Sequence, residues 1–163
     1  MLKLAGCVLL LGCAGAVQAW TLLEHRRELD VLAGLRAAFG QMGESIRLDL
    51  TPMPRLLERL ARRGPPAVRG FFAAVTADLA QGRSLEGSWR EAVPVLNLDG
   101  EENALLLELR LTGDEEAVTA QLDHAVRALE ELLGEKRKKR REKEKLSAAV
   151  SFSAALLLIL LLI

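Results

Sequence analysis

Hydrophobic positions fall into two kinds of pattern along this chain. At each end they are nearly continuous, from Leu2 to Leu23 and from Leu146 to Ile163. Between the ends they recur at three- and four-residue steps, the spacing of one helix face. No strict alternation survives for more than a few residues, and β-branched residues are sparse. Alanine, leucine, glutamate and arginine dominate, and all are good helix formers. The pattern predicts an all-α protein, a bundle of about six helices between two terminal transmembrane segments.

The first helix continues from the N-terminal apolar run to about Leu48, with Leu29, Leu32, Leu35, Phe39, Met42 and Ile46 on one stripe. Thr51-Pro52-Met53-Pro54 opens the second, with Thr51 as expected N-cap and proline in the first turn. Leu56, Leu57 and Leu60 form its apolar face. Arg55, Arg59, Arg62 and Arg63 form its wet face, which is either solvated or meets anionic lipid or an acidic partner. Gly64-Pro65-Pro66 ends it. Val68, Phe71, Phe72, Val75 and Leu79 mark the third helix, closed by Gln81-Gly82-Arg83. Ser84 caps a fourth carrying Leu85, Trp89 and Val93, with Trp89 expected in the core and Pro94 as the stop. Asp99 with Glu102 reads as a capping box for a fifth helix. Its Leu105, Leu106, Leu107, Leu109 and Leu111 cover more than one face. Thr112-Gly113 is a turn. From Asp114, Val118, Leu122, Ala125, Val126, Leu129, Leu132 and Leu133 form a seam of roughly heptad spacing. That seam packs within the domain or, alternatively, pairs with a second chain.

Charge changes the picture at the C-terminus. Lys and Arg together number 22, as do Asp and Glu, but the balance is local. Residues 24–135 hold 20 acidic and 13 basic residues, whereas 136–145, KRKKRREKEK, hold eight basic and two acidic. A basic run beside an apolar stretch of eighteen residues stays on the cytoplasmic side, because moving it across a bilayer is costly. It also suits contact with anionic headgroups. No aromatic residue is interleaved for base stacking, so nucleic acid is not an expected partner. Residues 99–135, with 11 acidic and two basic residues, are a solvated face or a partner surface.

The N-terminal run has three readings. Val17-Gln18-Ala19 resembles a signal-peptide cleavage site. The residues before Cys7 and Cys13 resemble a lipidation box, although both cysteines come early. An uncleaved transmembrane helix fits best with Arg26 and Arg27 just past the run and with the basic C-terminal cluster. The organisation expected is therefore an anchor at 2–23, a cytoplasmic bundle at 24–135, a basic stalk at 136–145 and a second anchor at 146–163.

Candidate chemistry is sparse. The two cysteines, Cys7 and Cys13, both lie in the N-terminal run. His124 with Asp123 and Glu130 makes a poor metal set, since neighbouring residues do not share a helix face. No phosphate-binding glycine loop of the Walker kind is present. The expectation is a non-enzyme: no catalytic, cofactor-binding or metal-binding residue is assigned.

The run Met42–Val93 resembles the stage III sporulation protein AB family of endospore-forming bacteria. The carrying residues are Thr51-Pro52-Met53-Pro54, Phe71-Phe72, Gly82-Arg83-Ser84 and Trp89, together with the anchor–bundle–stalk–anchor layout. Leu111-Thr112-Gly113-Asp114, with Gln121 late, departs from the family's usual turn before the last helix. The resemblance implies a six-helix bundle similar to the cytoplasmic domain of type II secretion F-family platform proteins. It implies a non-enzymatic scaffold in a sporulation-specific, secretion-like channel complex in the mother-cell membrane facing the forespore. Partners would be other stage III proteins, including a cytoplasmic secretion-type ATPase. The alternative is an exported protein or lipoprotein with a helical binding domain and a C-terminal anchor.

Overall fold

A computed structural model describes the backbone of residues 2–49, 51–98 and 100–162, and the side chains of 26–49, 51–98, 100–139, 141 and 142. The described residues are helical throughout, with no strand. The elements are α1 (Leu2–Asp49), α2 (Met53–Arg63), α3 (Pro66–Ala80), α4 (Leu85–Ala92), a 3-10 turn (Val93–Leu96), α5 (Glu101–Glu108) and α6 (Glu115–Leu162). The expected anchors at 2–23 and 146–163 lie outside the residues whose side chains are described. Among the described residues no helix is long and apolar enough to cross a membrane.

The long helices α1 and α6 lie antiparallel and form the most extensive contact in the bundle. The α1 stripe buries Leu32, Leu35, Phe39, Met42 and Ile46, joined by Val31 and Ala38, with Leu29 at the margin. From α6 the seam buries Val118, Leu122, Ala125, Leu129 and Leu133. The shorter helices close the other side. Leu56, Leu57 and Leu60 of α2 and Val68, Phe71, Phe72 and Val75 of α3 are buried against the same core.

An aromatic cluster holds that second side together. Trp89 packs edge-on to Phe71, with ring centroids 4.7 Å apart, and lies 6.0 Å from Phe39 and 6.3 Å from Phe72. Its indole Nε1 donates to the Leu106 carbonyl at 2.9 Å, so the buried ring also satisfies its polar edge. The expected core role of Trp89 therefore holds, and the hydrogen bond ties α4 to α5. Ser84 caps α4 as expected, accepting from the Gly87 amide at 3.3 Å. Gly34 sits at a close approach of α1 to the start of α3: a Cβ there would lie 3.2 Å from Val68 Cγ1 and 3.4 Å from Pro65 Cβ.

Two local expectations are corrected and a third holds. Thr51 does not cap α2: Pro52 occupies the N-cap and no side chain caps the helix, which starts at Met53 with Pro54 in its first turn. Pro94 stops α4 as expected: the α-helix ends at Ala92, and Pro94 sits in the first turn of the 3-10 segment Val93–Leu96, where its missing N–H costs nothing. The capping box before α5 is replaced by Gly100 at the N-cap, with φ 66° and ψ −131°, a conformation open to glycine alone. Asp99 lies outside the described residues. The carboxylate of Glu102 makes no cap hydrogen bond and pairs with Lys136 of α6.

Candidate interaction surfaces

The charged residues of the bundle sort into a ladder, a clasp and two unpaired faces. The ladder joins α1 to α6. Arg36 donates through Nε to Glu130 at 2.7 Å, and Arg47 pairs with Asp123. Both rungs are solvent-exposed, so each contributes about 0.2–1 kcal/mol. Their use lies in fixing which residue of one helix faces which residue of the other.

The clasp closes the end from which the terminal stretches leave. Lys136 pairs with both Glu28 of α1 and Glu102 of α5, and Glu102 is only 4% exposed. Burial alone would push the Lys136 ammonium down. Hydrogen bonds and charge from Glu102 and Glu28 outweigh it and hold the group above its ordinary 10.5. Only Glu102 is fully buried in this cluster, so the arrangement is favourable only while Lys136 stays with it. The first residue of the basic run is thus bound into the bundle.

This clasp was missed in the sequence, yet each member leaves a signal. Glu28 lies one turn before Leu32 on the α1 stripe, Glu102 one turn before Leu106, and Lys136 continues the seam after Leu129 and Leu133. Each is a charge at the position where an apolar stripe would continue.

The first unpaired face is basic. Arg55, Arg59, Arg62 and Arg63 are exposed on α2, and no described residue forms an ion pair with any of them. With Glu58 they line an open depression, and Arg59 also borders a shallow hollow with Gln41, Glu44, Ser45, Leu56 and Leu60. Arg55, Arg59 and Arg63 follow one another at four-residue steps, where like charges repel. Arg62 and Arg63 in the last turn are partly offset by the helix dipole.

The second face is acidic. Of the block 99–135, Asp123, Glu130 and Glu102 are taken by ion pairs. Glu101 and Glu108 of α5 and Glu131 and Glu135 of α6 remain exposed without an ion-pair partner among the described residues. His124 is exposed, and its neighbours Asp123 and Glu130 face arginines. Among the described residues no cluster of His, Cys, Asp or Glu gathers to hold a metal.

The stage III sporulation protein AB family matches residues 3–163, nearly the whole chain. The chain belongs to that family. A solved structure of a stage III sporulation protein AB superposes with a TM-score of 0.63 at 18% identity, covering 71% of this chain and 98% of that one. At that identity the likeness bears on the fold, and it agrees with the six-helix arrangement above. No curated relative matches the chain. The residues that carry the resemblance, Thr51-Pro52-Met53-Pro54, Phe71-Phe72 and Trp89, lie at the start of α2, on α3 and on α4.

Proposed function

We propose that this family member is a non-enzymatic membrane scaffold of a sporulation-specific, secretion-like channel complex between mother cell and forespore. The bundle stands in the cytoplasm, held to the membrane by residues 2–23 and 146–163. The observation that carries the reading is the shared exit. The Glu28–Lys136 pair brings the start of the bundle part of α1 beside the end of the bundle part of α6. Both helices continue from there toward the apolar stretches. The basic residues of 136–145 then collect at the membrane surface, where anionic headgroups favour them. The partners proposed are other stage III sporulation proteins, including a cytoplasmic secretion-type ATPase.

Topology is the test. Ala120 is exposed on α6 and caps nothing, unlike Ser84, whose oxygen holds α4. With Cys7 and Cys13 replaced, an Ala120→Cys variant should resist a membrane-impermeant thiol reagent in unbroken cells and react after lysis. Reaction in unbroken cells would place the bundle outside and favour the exported alternative.

A further inference from the structure

We infer that the arginine face of α2 docks against the acidic α5–α6 flank of a second copy of this chain. The inference rests on the membrane-scaffold reading only for the shared orientation of the copies. Three observations carry it.

The first is the cost of leaving the face bare. Four exposed arginines without ion-pair partners crowd one side of an eleven-residue helix that has no side-chain N-cap. Arg36 and Arg47 of neighbouring α1 are both paired. An anionic partner would relieve the repulsion on α2.

The second is level. The contact of Gly34 with Pro65 and Val68 sets the end of α2 beside residue 34 of α1. The hollow shared by Gln41, Ser45, Leu56 and Leu60 sets its beginning higher on α1. So α2 descends alongside α1, and its arginines form a strip along the bundle axis. The Arg36–Glu130 rung sets Glu131 at the same height as Arg62 and Arg63, to within about one helical turn. Glu135 lies one turn lower, near the clasp, and Glu108 sits one short helix above Glu102. Two copies standing side by side therefore bring opposite charges together without tilting.

The third is direction. The strip faces sideways, whereas the terminal stretches leave from the end that the clasp closes. A bilayer would meet that end; a neighbouring protein meets the side. The α2 face and the α5–α6 flank are different surfaces, separated by α1 on one route and by α3, α4 and the 3-10 turn on the other. The contact is thus head-to-tail. Copies sharing one membrane orientation repeat it by rotation about the membrane normal, and the result is a ring where that rotation closes.

The experiment uses the full chain in neutral detergent, with mass in solution followed against salt. Wild type should assemble at low salt and weaken about tenfold or more as exposed charges are screened. The variants Arg62→Glu/Arg63→Glu and Glu131→Lys/Glu135→Lys should each be monomeric. Mixed together they should assemble again in strict alternation, because the swapped face meets the swapped flank and the wild-type face meets the wild-type flank, while each variant repels its own kind. A monomeric wild type at low salt, or an Arg62→Glu/Arg63→Glu variant that still assembles, overturns the inference. So does a monomeric wild type that binds phosphatidylglycerol vesicles through Arg62 and Arg63, which would make lipid the occupant. Detergent removes any dependence on sidedness, so this result and the thiol-labelling result can fail separately.

Discussion

The two sides of the bundle are held by different means. The α1–α6 side combines a leucine-rich seam with charges set rung by rung: Arg47–Asp123, Arg36–Glu130 and the Lys136 clasp. The side built from α2 to α5 has few such rungs. It relies on Trp89, Phe71, Phe72 and Phe39 and on the indole bond to Leu106. Two long parallel cylinders can slide by a turn and still bury leucines, so register needs directional contacts. Short helices meeting around one large ring cannot slide, because ring shape and a single hydrogen bond already fix them.

The comparison breaks most severely at Trp89. Trp89→Ala should lower stability by about 3–5 kcal/mol in chemical denaturation, since it opens a large cavity and removes the donor to Leu106. A change below about 0.5 kcal/mol would mean that the ring does not organise the short-helix side.

Next comes the clasp. Lys136→Met leaves Glu102 buried without its cation and should cost about 2 kcal/mol at neutral pH. That is less than for a fully buried pair because Lys136 keeps some contact with water. Adding Glu102→Gln should recover part of the loss. The clasp also has a pH signature. The folded ammonium is held above 10.5, so its contribution is whole below that pH and is lost as pH rises past it. The stability difference between wild type and Lys136→Met should thus be level from neutral pH to about 10 and shrink beyond. A difference that grows in alkali would contradict the clasp.

Smaller effects sharpen the contrast. Ser84→Ala should cost about 1 kcal/mol through the lost cap of α4, read as a lowered melting temperature. Arg36→Ala should cost under about 1 kcal/mol. Its cost should rise when combined with Lys136→Met if the rungs act together on register, and the double-mutant cycle measures that coupling.

What was legible in the sequence follows from range. The stripe Leu32–Ile46, the seam Val118–Leu133 and the Ser84 cap are patterns within one helix, and each appears where its spacing predicts. Helix starts beside proline and glycine were misread, because Thr51 and Asp99 fit a cap by residue type alone while the backbone begins at Pro52 and Gly100. The clasp joins residues of three helices, and only the tertiary fold says which stripe-interrupting charge meets which. The arginine face was visible as a wet face; that it has no ion-pair partner among the described residues took the placement of every nearby carboxylate.

The shared exit of α1 and α6 has a mechanical corollary. Force applied between the two ends of the bundle does not shear the long helices along their length. It peels them apart from one pole, loading a single row of contacts at a time. The first row to carry the load holds Glu28, Glu102 and Lys136, and the aromatic centre is shielded until that row yields.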